Sequence, residues 1–153
     1  MISWAAGIFS ALLGTDVVFK QYVEENIKDG EERKYLNDKL IVRKVYNRGL
    51  MLDALEDYPR EVKAVSVAAG IGVFLNTVRI FWKKGHYREK AGMTLVCAGT
   101  ASNLFDRLVR GKVIDYIAFG TGKGYFSKIT ANLGDFYIAA GMLLAWKRKN
   151  RKR

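Results

Sequence analysis

Apolar and charged positions along this chain are sorted into separate blocks. Four blocks are apolar: ISWAAGIFSALLGTDVVF (2–19), VKAVSVAAGIGVFLNTVRIFW (62–82), AGMTLVCAGTASNLF (91–105) and ITANLGDFYIAAGMLLAW (129–146). A helix crossing the hydrocarbon layer needs about 20 residues, with a lower limit of about 17. The first, second and fourth blocks reach that length, and the third does so when residues from 88 onward join it. None is purely apolar, since Asp16, Asn76, Arg79, Asn103, Asn132 and Asp135 lie within them or at their ends. The pattern predicts an all-α membrane protein, with spans at about 2–19, 62–82, 88–105 and 129–146. The competing reading is a soluble bundle that buries the same helices.

Charge placement favours the membrane. Lys and Arg gather in RIFWKKGHYREK (79–90) and in the tail KRKNRKR (147–153). Residues 20–61 instead carry nine basic and ten acidic side chains. Basic residues in short loops near span ends mark the cytoplasmic side. Two spans separate the two basic regions, so both fall on one side, with both termini cytoplasmic. Segments 20–61 and 106–128 then face outward. The net charge of +11 becomes a topology signal rather than a nucleic-acid footprint, and the tail is placed to touch anionic headgroups. Trp4, Trp82 and Trp146 fall towards the cytoplasmic ends, as an aromatic belt places them. The first block lacks a basic leader and a small-residue cleavage site, so it reads as a retained span. Pro59, the one proline, precedes the second span, where a helix start accepts it.

This topology brings polar residues to one depth. Asp16 lies near the outer end of span 1, Asn103, Asp106 and Arg107 at that of span 3, and Asn132 and Asp135 at the start of span 4. Intramembrane carboxylates are costly, so they face one another or water. Helical spacing puts Asn103, Asp106 and Arg107 on one face, Asn132 and Asp135 on another, and Asp16 with Lys20 on a third. Each pairing has a local account, such as an interfacial ion pair for Asp16 and Lys20. On three helices at one depth, they favour a site.

Asp115 sits in KVIDYIAF, an extended or membrane-edge segment, where a solvated surface aspartate is the alternative. Asp115 and Asp135 are the acids best placed to meet over a water. Two carboxylates that close hold one proton between them, which suits aspartic-type peptide hydrolysis. Other chemistries fit poorly. A single Cys97 and a single His86 exclude a disulfide framework and a His/Cys zinc cluster, and no cofactor is expected. GTGKG (120–124) does not match a phosphate loop and reads as a mobile outer loop or lid. Met51 and Met93 read as packing residues.

The ordered set Asp16-x-x-x-Lys20, Asn47-x-Gly49, Asn103-x-x-Asp106-Arg107, Gly111-x-Val113-Ile114-Asp115 and Asn132-x-x-Asp135 resembles lipoprotein signal peptidase, or signal peptidase II, along the whole chain. The resemblance implies a bacterial inner-membrane aspartic endopeptidase that removes signal peptides before a diacylglyceryl-modified cysteine. It implies Asp115 and Asp135 as the catalytic dyad. It implies Asn103, Arg107 and Asn132 as the polar shell, and Asn47 as a site residue on the outward segment 20–61. That segment is expected to form a small extracytoplasmic sheet between helices 1 and 2. Asp16 and Lys20 match a family pair at the end of the first span, and Asp106 resembles a structural acid beside Arg107. Prolipoproteins and membrane lipids are the implied partners, no nucleic acid is expected, and a monomer is expected.

The chain departs from the family pattern in RGLMLDAL (48–55), where Arg48 and Asp53 put charge in place of small or apolar residues, and at Ala131 and Gly134. A catalytically silent member that binds lipidated or signal-peptide substrates is therefore the second reading. A soluble basic nucleic-acid binder is the third, and membrane extraction separates it from the others.

Overall fold

A computed structural model describes residues 2–49, 55–120 and 129–146. The expectations for Met51, Asp53, the 121–128 part of the outer loop and the 147–153 tail lie outside them. In chain order the elements are α1 (Ile2–Asn26), β1 (Glu32–Tyr35), β2 (Leu40–Asn47), α2 (Pro59–Trp82), α3 (Tyr87–Phe105), β3 (Val113–Phe119), β4 (Thr130–Ala131) and α4 (Leu133–Ala145). A five-residue π-helical turn, Asp106–Arg110, extends α3, and Gly111 ends it at φ 72°, a left-handed conformation that glycine adopts without strain.

Among the described residues, α1 and α2 are long and apolar enough to cross a membrane. On α2, Val65, Ile71, Phe74, Leu75 and Trp82 are all exposed. A long helix that leaves large apolar side chains uncovered needs an apolar surrounding. α4 has only 13 residues, about 20 Å of rise, well short of the hydrocarbon thickness of about 30 Å. The apolar block at 129–146 had suggested a span starting at 129. Its first residues instead form β4 and the helix cap, so the helix begins at Leu133. α1 runs past 19 to Asn26 because Lys20 and Val23 stay buried. Val23 and Ile27 join Ile114 and Tyr116 in the core beneath the sheet.

The small sheet expected between helices 1 and 2 is present there as β1 and β2, and it extends further. β3 and β4 come from the α3–α4 connection, and the four strands are antiparallel in the order β1-β2-β3-β4. β3 pairs with β2 through Val45↔Asp115 and Asn47↔Val113, past an irregularity between Val42 and Val45. It pairs with β4 through Ile117↔Ala131. The strand VIDYIAF is buried on both faces for most of its length. The expectation of an extended segment at KVIDYIAF is met by this strand.

α3 and α4 run antiparallel with their backbones close. A Cβ on Gly92 would lie 2.6 Å from the Gly141 carbonyl oxygen, and one on Gly141 would lie 2.5 Å from that of Gly92. A Cβ on Gly99 would run into the Gly134 carbonyl oxygen. Small residues let membrane helices approach in this way. Gly99→Ala must push α4 away at the residue next to Asp135. Overpacking of this kind costs about 1–3 kcal/mol. Unfolding in detergent should show that loss, and a stability equal to wild type would mean that the helices separate freely.

Candidate active site

The candidate residues of α1, α3, β2, β3 and α4 converge where the helices meet the sheet. Asn132 organises the centre. It is the N-cap of α4, and its side-chain oxygen accepts from the Asp135 amide at 3.0 Å. The Asp135 carboxylate returns the contact, accepting from the Asn132 amide at 3.1 Å. This reciprocal capping fixes the first turn of α4. Asn132 also donates from Nδ2 to Asp115 Oδ1 at 2.6 Å. One fully buried asparagine therefore ties both candidate acids together across β3 and α4.

Each acid has one further partner. Asn47 Nδ2 donates to Asp115 Oδ2 at 3.3 Å, and Asn103 Nδ2 donates to Asp135 Oδ1 at 2.9 Å. Asp115 is 4% exposed. Burial, followed by the neighbouring Asp135 charge, pushes its pKa up to about 6, against the hydrogen bonds from Asn132 and Asn47. Arg107 donates to the Gly49 carbonyl at 2.7 Å, while its Nε is buried without a partner among the described residues. Burial lowers its pKa, and the charges of Asp115 and Asp135 oppose that shift. A groove of about 520 Å³ has Asn47, Asn103, Arg107, Asp115 and Asp135 at its polar end and Ile138, Ala139 and Met142 along α4.

Behind the acids lies a second, buried network. Lys20 Nζ is 2.9 Å from Asp16 and 3.0 Å from Asp106, with all three side chains fully buried. It also donates to Ser102 Oγ at 3.1 Å and to Asn103 Oδ1 at 2.8 Å. Ser102 in turn donates to Asp16 at 2.5 Å. The Asn103 contact carries this network to the site, since Lys20 fixes the amide oxygen and thereby aims Nδ2 at Asp135.

Asp106 has different partners from those expected. It meets Lys20, accepts from Arg110 Nη1 at 2.6 Å and accepts from the Ile114 amide at 3.3 Å, while Arg107 turns to the Gly49 carbonyl. The π-helical turn is the reason. A uniform α-helix puts Asn103, Asp106 and Arg107 on one face, whereas the wider turn gives Asp106 to α1 and Arg107 to the groove.

Sequence reasoning missed Ser102, Arg110 and Tyr116. The Tyr116 hydroxyl donates to Asp16 at 3.0 Å and accepts from the Leu133 amide at 3.3 Å. Burial and the Asp16 charge raise its pKa, so it stays a neutral donor. Strand alternation was the usable signal for Tyr116, because successive side chains point to opposite faces. Asp115 faces the groove and Tyr116 faces α1. Ser102 gave no signal beyond a small polar residue in an apolar helix.

The family model described as signal peptidase (SPase) II matches residues 8–148. A lipoprotein signal peptidase of Mesorhizobium japonicum is 26% identical, covering 97% of this chain and 92% of its own. One from Streptococcus pneumoniae is 24% identical, covering 91% and 87%. One from Chlamydia trachomatis is 33% identical over a shorter stretch, 65% of this chain and 58% of its own. Two solved bacterial membrane enzymes share the fold. The first has TM-score 0.82 at 20% identity, covering 94% of this chain and 85% of its own. The second has TM-score 0.78 at 21% identity, covering 94% and 90%.

Proposed function

Because the chain belongs to the signal peptidase II family, we propose that it is an aspartic peptidase of the bacterial inner membrane that removes signal peptides from prolipoproteins. Asp115 and Asp135 are its catalytic pair, and the cut falls before a diacylglyceryl-modified cysteine. The observation that carries this reading is the single buried Asn132 bonded to both acids at the head of an apolar groove. All four helices span the membrane as one domain, with both termini cytoplasmic and the sheet on the outer surface. α4 and its flanks complete the fourth span. The chain acts as a monomer on prolipoproteins within the lipid.

The pair shares one proton. Burial assigns it to Asp115, which leaves Asp135 as the base. Asp135 takes a proton from water while the water oxygen attacks the scissile carbonyl carbon. The Asp115 proton moves to the carbonyl oxygen, giving a tetrahedral diol. That diol collapses as its hydroxyl proton returns to Asp115, and Asp135 protonates the departing cysteine nitrogen. Asn47, Asn103 and Asn132 hold the two carboxyl groups in place. Arg107 offers its unbonded Nε to the substrate backbone. The lipid on the cysteine anchors the substrate and sets the depth of the scissile bond, a proximity effect.

Purified full-length protein in detergent should release the signal peptide from a diacylglyceryl-modified prolipoprotein and leave the unmodified precursor intact. Chelators and thiol reagents should have no effect. Wild-type protein that binds this substrate without cleaving it would overturn the enzymatic reading in favour of a silent binding member.

The pH profile follows from the same pair. The one-proton form is lost as pH rises through about 6 in the free protein. The alkaline limb of kcat/KM, which reports the free enzyme, should therefore lie near that value. Substrate in the groove excludes water and disfavours the second negative charge, so the alkaline limb of kcat should lie higher. A kcat limb at lower pH than that of kcat/KM contradicts the assignment.

A further inference from the structure

We infer that a second cavity, on the far side of Arg107 from the acids, binds the phosphate of an anionic phospholipid in the outward-facing leaflet. The cavity has a volume of about 440 Å³ and is lined by Arg48, Arg60, Lys63, Arg107 and Arg110, with no carboxylate among its described lining residues. Arg110 is committed to Asp106 and Gln21, so its charge is already answered. Arg48 and Arg60 have no ion pair among the described residues, and Lys63 makes only a long contact of 3.5 Å to the Leu108 carbonyl. Arg107 lines this cavity and the catalytic groove alike. Glu56, Asp57 and Glu61, close to Arg60 in sequence, are exposed.

The backbone adds to the attraction. α2 is 24 residues long and starts at this cavity, with Pro59 in its first turn and no side-chain cap from Tyr58. The amides of Arg60 and Glu61 precede the first intrahelical bond, which runs from the Val62 amide to the Tyr58 carbonyl. Free amides and the helix dipole at such an end favour an anion.

The surroundings select a lipid over a free ion. Leu108 and Val109, on the cavity wall, are exposed apolar residues. The uncovered apolar length of α2 begins at the same place, offering a path for acyl chains below the headgroup. A zwitterionic choline headgroup brings a cation against Arg48, Arg60 and Lys63, so the cavity prefers a headgroup with net negative charge. The inference rests on the membrane placement of α2 and not on peptide cleavage. Lipid binding can thus be read when no substrate turns over.

Native mass spectrometry of the full-length chain, released from neutral detergent, gives the test. Titration with phosphatidylglycerol should show one lipid bound more tightly than phosphatidylcholine. Arg60→Gln and Lys63→Gln should each weaken phosphatidylglycerol binding by roughly fivefold, and by more than twentyfold together. Lys63→Arg should restore it. Both positions are exposed, so the fold survives, and cleavage in lipid-free detergent should be unchanged. Equal affinity for the two lipids, or no loss in the double variant, overturns the inference. Inorganic phosphate that binds as tightly as phosphatidylglycerol and displaces it also overturns it, because the site would then be a free-anion site.

Discussion

Asp115→Asn and Asp135→Asn should each lower kcat for prolipoprotein cleavage by about 10²–10⁴-fold, the range associated with a positioned acid or base. Neither change should unfold the chain. Asparagine keeps the shape of aspartate, but neither its amide nitrogen nor its oxygen can give up or take the proton that the reaction moves. At Asp115 the amide oxygen still accepts from Asn132, while the new amide nitrogen faces the Asn47 donor at 3.3 Å and loses that longer bond. At Asp135 the amide oxygen still accepts from the Asn132 amide and the backbone amide still donates to Asn132, while the new amide nitrogen faces the Asn103 donor. Substrate binding should persist in both variants, so a binding assay beside the cleavage assay separates chemistry from folding. If either variant cleaves at more than a tenth of the wild-type rate, that residue is not a member of the pair. Because the acids act as a unit, the double variant should be little worse than either single one.

The largest effect on stability should come from Lys20→Met. Lys20 is fully buried and neutralises Asp16 and Asp106 at about 3 Å. Methionine fills much of the same space but leaves two carboxylates with a single cationic neighbour, Arg110 on Asp106. Removing one partner of a buried ion pair costs about 3–5 kcal/mol. Thermal unfolding in detergent should show this loss. Adding Asp16→Asn should recover part of it, because the uncompensated charge rather than the missing contact carries most of the penalty. A Lys20→Met protein as stable as wild type would mean that the network is wet or its acids neutral. The variant should also lose activity beyond its stability defect. Asn103 would no longer be held by Lys20, and its bond to Asp135 would lose its fixed direction. Lys20 is in this sense a positioning residue, and a kcat loss at unchanged KM in the folded fraction is the signature to look for.

The sequence by itself determined the apolar blocks and the family, and it supplied the charge asymmetry on which the proposed two sides of the membrane rest. Each follows from local quantities: run length, the placement of Lys and Arg, and short motifs at fixed order. It also brought Asp16, Lys20, Asn103, Asn132 and Asp135 to one depth, because depth follows from position along a span. What it did not determine was which of them touch. KVIDYIAF reads as an extended or membrane-edge segment, and only pairing with β2 and β4 sets Asp115 facing the groove rather than solvent. Asn132 and Asp135 looked like residues on a helix face, yet they are a cap and its reciprocal partner, which depends on where α4 starts. Helical spacing joined Asp106 to Arg107, and the π-helical turn separated them. The physical reason is common to all three. Hydropathy and spacing act along the chain, whereas a buried polar group must find its partner across it, and only the packed helices and sheet decide which partner is within reach.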